Sequence, residues 1–460
     1  MKDILYLKKS KIAGKSTIFA LMKRIIIIFI MCVPLIAEAQ NAMSVLNHLH
    51  QVSKGETLYK IAQQYNVTEQ DLLSANPDIA KKKKLKKGTY LAIPQASTVS
   101  QGAAVKNKVS GRLTKSSLRI GIILPFVEKS ERAKDMIEFY QGFLMAADNA
   151  KKENLSMDIY AYGSGSTEAD IIEVLGKPDI ARLDILFGPV DEQQLPATIN
   201  FCKTHNIKLV LPFVNQQSTE GNAHLYIACP GNTVITTEAA KLVTKAYTDR
   251  NFIILKTNNE NSKGTLFTQT LSDMLVRKGS SVHIVNSNSD DNTFVAAMSQ
   301  TKTNVIVPDN SSIRTLNNVI TKLISFRQRY PGYNLSLLGY PEWQTHANKI
   351  LDRFFELETY IYSPYYYNAI AARTKLFEQT FSRNFRKPMA VNYPRYAMMG
   401  YDLAWYFLHD IAFQGAAIGA QQEPYQNMFR FIQEADNGGY TNRFIQLIHY
   451  TKSRQIELIR

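Results

Sequence analysis

From residue 118 onward one pattern recurs: a short, mostly apolar run closes on a Pro or Gly turn, and a stretch with helical spacing follows. The runs lie at 118–124 (LRIGIIL), 157–162, 183–187 and 208–211, and again at 252–255, 282–285, 304–307 and 335–338. Helical spacing fills the gaps, at 168–175, 193–202, 236–247 and 313–326 among others. Runs that are apolar at nearly every position suit strands buried on both faces, with helices covering those faces. The pattern predicts an α/β fold with parallel sheets, built as two Rossmann-like lobes. A chain of 460 residues that is 45% hydrophobic can bury cores of that size.

The residues before this body read differently. Lys23 and Arg24 precede an apolar run at 25–36, which ends at Ala37-Glu38-Ala39. A basic start, a short apolar core and an A-x-A site form a secretory signal, so residues 1–39 are expected to direct export to the periplasm or cell wall. An uncleaved N-terminal anchor is the alternative, and either Met1 or Met22 can serve as the start. Cys32 follows Met31, where a lipid-attachment site needs a small residue, so no lipid anchor is expected. Cys202 and Cys229 remain in the mature chain; an exported protein allows them a disulfide, and two buried thiols fit their apolar surroundings as well.

Net charge is +15, but residues 1–39 carry +5, 40–95 carry +4 and 96–116 carry +4, leaving +2 for 117–460. The body lacks the basic surplus of a nucleic-acid binder, so no nucleic-acid partner is expected. Lys81 to Lys84, with Lys86 and Lys87, form the one dense basic run, read as a solvated loop or as an attraction to an anionic surface. Residues 96–117 are small, polar and without periodicity, and read as a flexible linker.

Between 48 and 95 a compact β-α-α-β unit is legible. Val52 opens a strand, Thr57 stands as N-cap, and Leu58, Ile61, Ala62 and Tyr65 recur at i, i+3, i+4 and i+7. Thr68 and Asp71 begin a second helix in the manner of a capping box, Asn76-Pro77 stops it, and Tyr90 to Ile93 form a last strand. With Val52, Gly55, Glu56, Thr57, Leu58, Ile61, Ala62, Tyr65, Val67, Leu72, Asn76, Pro77, Leu85, Gly88, Leu91, Ile93 and Pro94 in register, the unit resembles the LysM family. The resemblance implies binding to N-acetylglucosamine-containing glycan, chiefly peptidoglycan. It places the groove between Gly55, Glu56, Thr57 and Leu58 on one side and Asn76, Pro77 and Ile79 on the other. The lysine-rich stretch after Ile79 departs from the family pattern.

The body, residues 118–460, resembles the type I periplasmic binding-protein fold of branched-chain amino-acid receptors and related transporter substrate-binding proteins. The segments carrying this are 118–126 (LRIGIILPF), 139–150 (FYQGFLMAADNA), 184–190 (DILFGPV), 207–213 (IKLVLPF) and 398–408 (MMGYDLAWYFL). The resemblance implies a ligand held between the lobes by the turns after the strands. Those turns carry Phe126, Ser164, Asp191, Gln193 and Asn215 in the first lobe, and Asn258, Asp309, Asn310, Tyr340, Glu342 and Trp343 in the second. Asp191-Glu192 departs from what a carboxylate-binding turn needs, since the acidic pair repels a carboxylate. Tyr362 and Tyr365 to Tyr367 form a cluster able either to stack on sugars or peptides or to pack the crossover between lobes.

No HExxH, GxSxG or GxxxxGK[ST] occurs, and Cys202 and His205 are too close in sequence for a protease-like dyad. Asp191-Glu192 at a helix start serves the helix dipole. The reading is of a non-enzymatic, exported, peptidoglycan-associated protein without cofactor or metal. Its body either binds a solute, an amino acid among the candidates, for transport or sensing, or has lost the pocket and regulates wall synthesis or remodelling by protein contacts.

Overall fold

The computed structural model describes residues 48–65, 67–76, 85, 87, 90–93, 117–126, 128–214, 218–257, 262–369, 371–413 and 423–460. The expected signal segment, the linker up to residue 116, most of the lysine run, Pro77, Ile79, Asn215 and Asn258 lie outside them.

The N-terminal unit runs β1 (His48–Gln51), α1 (Leu58–Gln64), α2 (Glu69–Ala75) and β2 (Tyr90–Ile93), with β1 and β2 antiparallel and His50 opposite Leu91. Thr57 caps α1, its side chain accepting the Lys60 N–H at 3.3 Å. Val52, Ile61, Ala62, Leu72, Leu91 and Ile93 are buried together, with Leu58 and Tyr65 packed at the margin. The helical stripe read from the sequence is this core.

The body begins with β3 (Leu118–Leu124), α3 (Glu131–Lys152), β4 (Met157–Gly163), α4 (Glu168–Leu175), β5 (Ile185–Phe187), α5 (Leu195–Thr204), β6 (Lys208–Leu211) and β7 (Leu225–Ile227). The chain then crosses through 228–231 into α6 (Asn232–Ala246), β8 (Arg250–Lys256), α7 (Ser262–Arg277), β9 (Val282–Asn286), α8 (Asp291–Ala296), β10 (Thr303–Pro308), α9 (Ile313–Arg329), β11 (Leu335–Gly339), α10 (Ala347–Glu356) and β12 (Tyr360–Ser363). It returns to the first lobe for α11 (Ala372–Phe385), α12 (Tyr396–Phe413), β13 (Phe431–Gln433) and β14 (Tyr440–Asn442). It ends in the second with β15 (Gln446–Tyr450) and β16 (Ile456–Ile459).

Each lobe is a sheet of seven strands. Five parallel strands stand in the order β4-β3-β5-β6-β7 in the first lobe and β9-β8-β10-β11-β12 in the second. The last four strands complete the edges: β14 joins β7 in parallel, while β13, β15 and β16 pair antiparallel. In both lobes the strand order reverses beside the first strand, between β3 and β5 and between β8 and β10, where open α/β sheets leave a crevice.

Two-sided burial explains the unbroken apolar runs of the inner strands, whereas the runs at 157–162 and 282–285 form the edge strands β4 and β9, which are partly exposed. Ile120, Ile122 and Leu124 of β3 face a core shared with α3 and α12, while Ile123 faces the opposite core with α4 and α5. The α3–α12 pair is the tightest helix contact of the first lobe. A Cβ at Gly142 would stand 1.7 Å from the Ala397 carbonyl oxygen, and one at Gly400 would stand 2.0 Å from that of Phe139. These two glycines let the helices touch backbone to backbone.

Candidate functional site

In the N-terminal unit Gly55 takes φ +85°, a left-handed turn that glycine adopts without strain. The turn brings Glu56 back onto β1, where its Oε2 accepts the Ser53 N–H at 2.6 Å and meets His50 Nε2 at 2.8 Å. An ionised carboxylate only accepts, so Nε2 of His50 carries the proton, and Nδ1 accepts from the Tyr65 hydroxyl at 3.1 Å. The Ser53 N–H first, and His50 second, hold the Glu56 carboxyl below its ordinary range. Asn76 is buried, its amide donating to the Leu72 carbonyl at 2.7 Å. The side chains of Glu56 and Thr57 are thus bonded within the first loop, that of Asn76 bonds back onto α2, and Leu58 packs against the core. His50 and Tyr65 complete this arrangement; Tyr65 is legible in the sequence as a stripe and LysM-register residue but not as the partner of His50.

Between the lobes, the turns after the strands are occupied chiefly with one another. Phe126 packs its ring edge-on against Tyr140 at 5.2 Å. Asp191 accepts from Arg132 Nη1 through Oδ1 at 2.7 Å, while Arg132 Nη2 donates to the Val190 carbonyl at 2.7 Å. Its second oxygen, Oδ2, is buried and has no hydrogen-bond partner among the described residues. Gln193 is exposed; its neighbour Gln194 is the buried one, donating to Ser164 Oγ at 2.8 Å and to the Gly165 carbonyl at 2.7 Å. Gln194 therefore clamps the turn after β4 to the turn after β5, and Ser164 is spent on that clamp.

In the second lobe Asp309 Oδ1 accepts both the backbone N–H and the hydroxyl of Thr257, at 2.8 and 2.7 Å, and so stitches the ends of β8 and β10 together. Tyr340 and Trp343 are wholly buried in the second lobe's core. The Tyr340 hydroxyl donates to the Pro308 carbonyl, and Trp343 Nε1 donates to the Ser311 carbonyl at 2.9 Å. These two aromatic residues present no surface to the space between the lobes, because the apolar gain of enclosing such large rings is met inside the sheet-helix layer. Glu342 pairs with Lys263 at 3.2 Å.

The tyrosine cluster packs the crossover. Tyr362 is buried in β12; Tyr365 pairs with Asn427, and the Tyr366 N–H donates to the Gln426 carbonyl at 3.0 Å. Asp402 of α12 secures this joint by accepting the N–H groups of Tyr425, Gln426 and Asn427, each at 2.8 Å. Beside it lies a cavity of about 60 Å³ bordered by Gln344, Asn348, Tyr366, Tyr393 and Tyr450. That is room for about two waters, against roughly 300–1,000 Å³ for ordinary small-molecule sites.

Residues 386–395, between α11 and α12, were not singled out in the sequence. The Ala390 N–H donates to the buried Glu138 carboxylate of α3 at 3.0 and 3.1 Å, and the Asn392 amide to Asp135 at 2.6 Å. From the same segment the Tyr393 hydroxyl donates to Gln344 Oε1.

Cys202 and Cys229 are free thiols. Burial pushes the Cys202 thiol up to about 12, and His205 lies exposed with its ring stacked on Phe201 at 4.2 Å, so the two form no nucleophile–base pair. Among the described residues no group of three His, Cys, Asp or Glu side chains is placed to hold a metal ion, and no helix is long and apolar enough to cross a membrane.

Residues 50–94 match the LysM domain. No curated protein matches the chain. Among solved structures, a putative branched-chain amino acid ABC transporter protein from Rhodospirillum rubrum is similar at 12% identity over 75% of this chain and 100% of that one, with a TM-score of 0.52. An ABC transporter substrate-binding protein from Desulfitobacterium hafniense in complex with Leu shares 13% identity over 75% of this chain and 100% of its own, TM-score 0.42. The C-domain of LpoA from Haemophilus influenzae, described as a regulator of PBP1A, shares 14% identity over 74% and 100%, TM-score 0.45. The body accordingly has the two-lobed type I periplasmic binding-protein fold, joined to an N-terminal LysM domain.

Proposed function

We propose that this chain is an exported, wall-anchored interaction protein. Its LysM domain holds peptidoglycan, through the loops at Gly55 to Leu58 and Asn76 to Ile79. Its two-lobed body docks onto the machinery that builds or remodels the wall. The observation that carries this reading is the internal use of the turns a solute would need. Tyr340 and Trp343 are enclosed in the core, Asp309 stitches two strands, and Ser164 serves Gln194. Buried polar groups that already have partners gain little from a ligand. The acidic pair at 191–192 further disfavours the carboxylate of an amino acid. A location outside the cytoplasm, at the wall, is supported by the LysM domain and by the secretory signal read from the sequence at residues 1–39.

The test is a polymerisation assay with a peptidoglycan synthase from the same cell. Adding the purified chain is expected to change the rate of glycan polymerisation or cross-linking at substoichiometric to equimolar ratios. An unchanged rate, with no complex between chain and synthase in sedimentation, contradicts the reading.

A second reading has one observation in its favour. The buried, unpartnered Oδ2 of Asp191 at the strand-order reversal suits an amine-bearing solute, whose N–H groups would satisfy it. In that case Asp191→Ala abolishes solute binding, and Gln193→Ala leaves it intact.

A further inference from the structure

The segment 386–395 leaves α11 through Arg386, which adopts a left-handed φ of 55° and turns the chain back over α3. Asp135 and Glu138 belong to the first half of α3, the helix that follows the carboxyl end of β3; Gln344 follows the carboxyl end of β11. The segment is therefore bonded to both lobes at the ends of the strands that border the space between them. Its contacts form one continuous polar path. Glu138 holds Ala390, Asp135 holds Asn392, Tyr393 reaches Gln344 Oε1, and Gln344 Nε2 donates to Ser363 Oγ at 2.9 Å on β12. A single orientation of the Gln344 amide satisfies both of its bonds.

The far end of the segment is fixed as well. The Arg395 N–H donates to Gln426 Oε1 at 2.8 Å, its guanidinium donates to the Ala390 carbonyl at 2.6 Å and lies over the Tyr367 ring at 4.6 Å. Glu138 is 3% exposed and Gln344 8% exposed, so separating either from its partner would strand a buried polar group. Arg386, Lys387 and Pro388 are exposed, and Val391 is the segment's exposed apolar side chain, at 89% exposure.

We propose that residues 386–395 are a built-in latch, which fixes the angle between the two lobes through Tyr393 and Gln344 and does the work a bound solute would otherwise do. Two-lobed proteins of this build change shape by bending at their crossovers. The latch adds to those crossovers a further tie between the lobes, packing Tyr393 on Tyr365 and Arg395 on Tyr367, and it holds the body in one shape. The inference goes beyond the functional reading and does not need it, since a fixed body can serve either a partner protein or a preformed site.

The experiment measures the interlobe distance in the full chain by pulsed dipolar spectroscopy. Spin labels are placed through Ile172→Cys on α4 and Val276→Cys on α7, both exposed, one in each lobe, in a Cys32→Ser, Cys229→Ser background that leaves buried Cys202 as the one native cysteine. The parent is expected to give one narrow distance. Tyr393→Phe, which removes only the hydroxyl, should broaden it, and Asn392→Ala should broaden it too, while Val391→Ala leaves it unchanged. Far-ultraviolet dichroism on each variant confirms that the lobes stay folded, and Asn392→Ala carries the test if Tyr393→Phe does not fold. A broad or two-peaked parent distribution overturns the latch, as does a distribution that neither variant alters. A broad parent distribution together with an active polymerisation assay removes the latch and leaves the functional reading standing.

Discussion

Asp402 is the residue on which the joint between the lobes depends most visibly. Its carboxylate gathers three main-chain N–H groups from 425–427, the segment paired with Tyr365 and Tyr366 on the neighbouring crossover. Replacing it with alanine orphans those donors in a buried place. At about 1–3 kcal/mol for each unsatisfied group, Asp402→Ala is expected to lower the melting temperature markedly, as read by calorimetry of the full chain. Asp402→Asn, which keeps one acceptor, should lose less. Equal losses in the two variants would show that the N–H contacts are not what the residue contributes. At the other end of the chain, the sign of a pH effect follows from Glu56. Its folded pKa is depressed below the ordinary 4.5, with the Ser53 N–H as the main cause. The ionised carboxylate therefore stabilises the turn above that value, and the contribution is lost as pH falls through the folded pKa. The Ser53 amide should be protected from hydrogen exchange at neutral pH and lose protection only as pH falls beneath the ordinary carboxylate range, through the depressed Glu56 pKa. Glu56→Gln should remove this pH dependence; a Ser53 protection factor, corrected for the intrinsic exchange rate, that stays the same from neutral pH to beneath the carboxylate range would refute it.

Among the elements, α3 and α12 set the strictest condition. A methyl group at Gly400 cannot fit 2.0 Å from the Phe139 carbonyl oxygen, so Gly400→Ala must push the helices apart and is expected to cost at least the ~1–3 kcal/mol typical of overpacking, measured by denaturant unfolding. A cost near zero would mean that the helices slide freely. The same scale shows what the sequence could reveal. The long runs at 118–124, 208–211 and 304–307 coincide with strands because burial on both faces makes them apolar at nearly every position. β7, β13 and β14 have three residues each, and β13 and β16 are partly exposed edges, too short or too mixed to stand out. The candidate site was legible at the level of turns but not of side chains. Gln193 and Gln194 are adjacent and chemically identical, and only the phase of the short helical turn before α5 decides which one enters the core. Tyr340 and Trp343 follow the end of β11, yet nothing in the sequence says that this turn folds inward over Gly339, whose missing Cβ leaves room for the Trp343 ring. Arg132 offered one overlooked signal: a basic residue in the first turns of a helix opposes the dipole, and here a partner, Asp191, accounts for it.

As a whole, the molecule joins a LysM domain to a two-lobed body whose strand-end turns bond chiefly to one another. Deleting residues 48–95 should remove the protein from purified peptidoglycan sacculi, whereas Trp343→Ala should leave retention unchanged while costing the body about 3–5 kcal/mol. Full retention of the truncated chain would sink the anchoring role of the LysM domain. The body's role is tested most directly by thermal-shift titration of the full chain against amino acids, short peptides, muropeptides and sugars. A ligand bound by the native state alone stabilises it by about 2.7 kcal/mol at a hundredfold excess over its dissociation constant. The account predicts that no member of the panel gives a saturable rise in the body's melting transition; such a rise, lost in Asp191→Ala, would contradict it and establish a solute receptor.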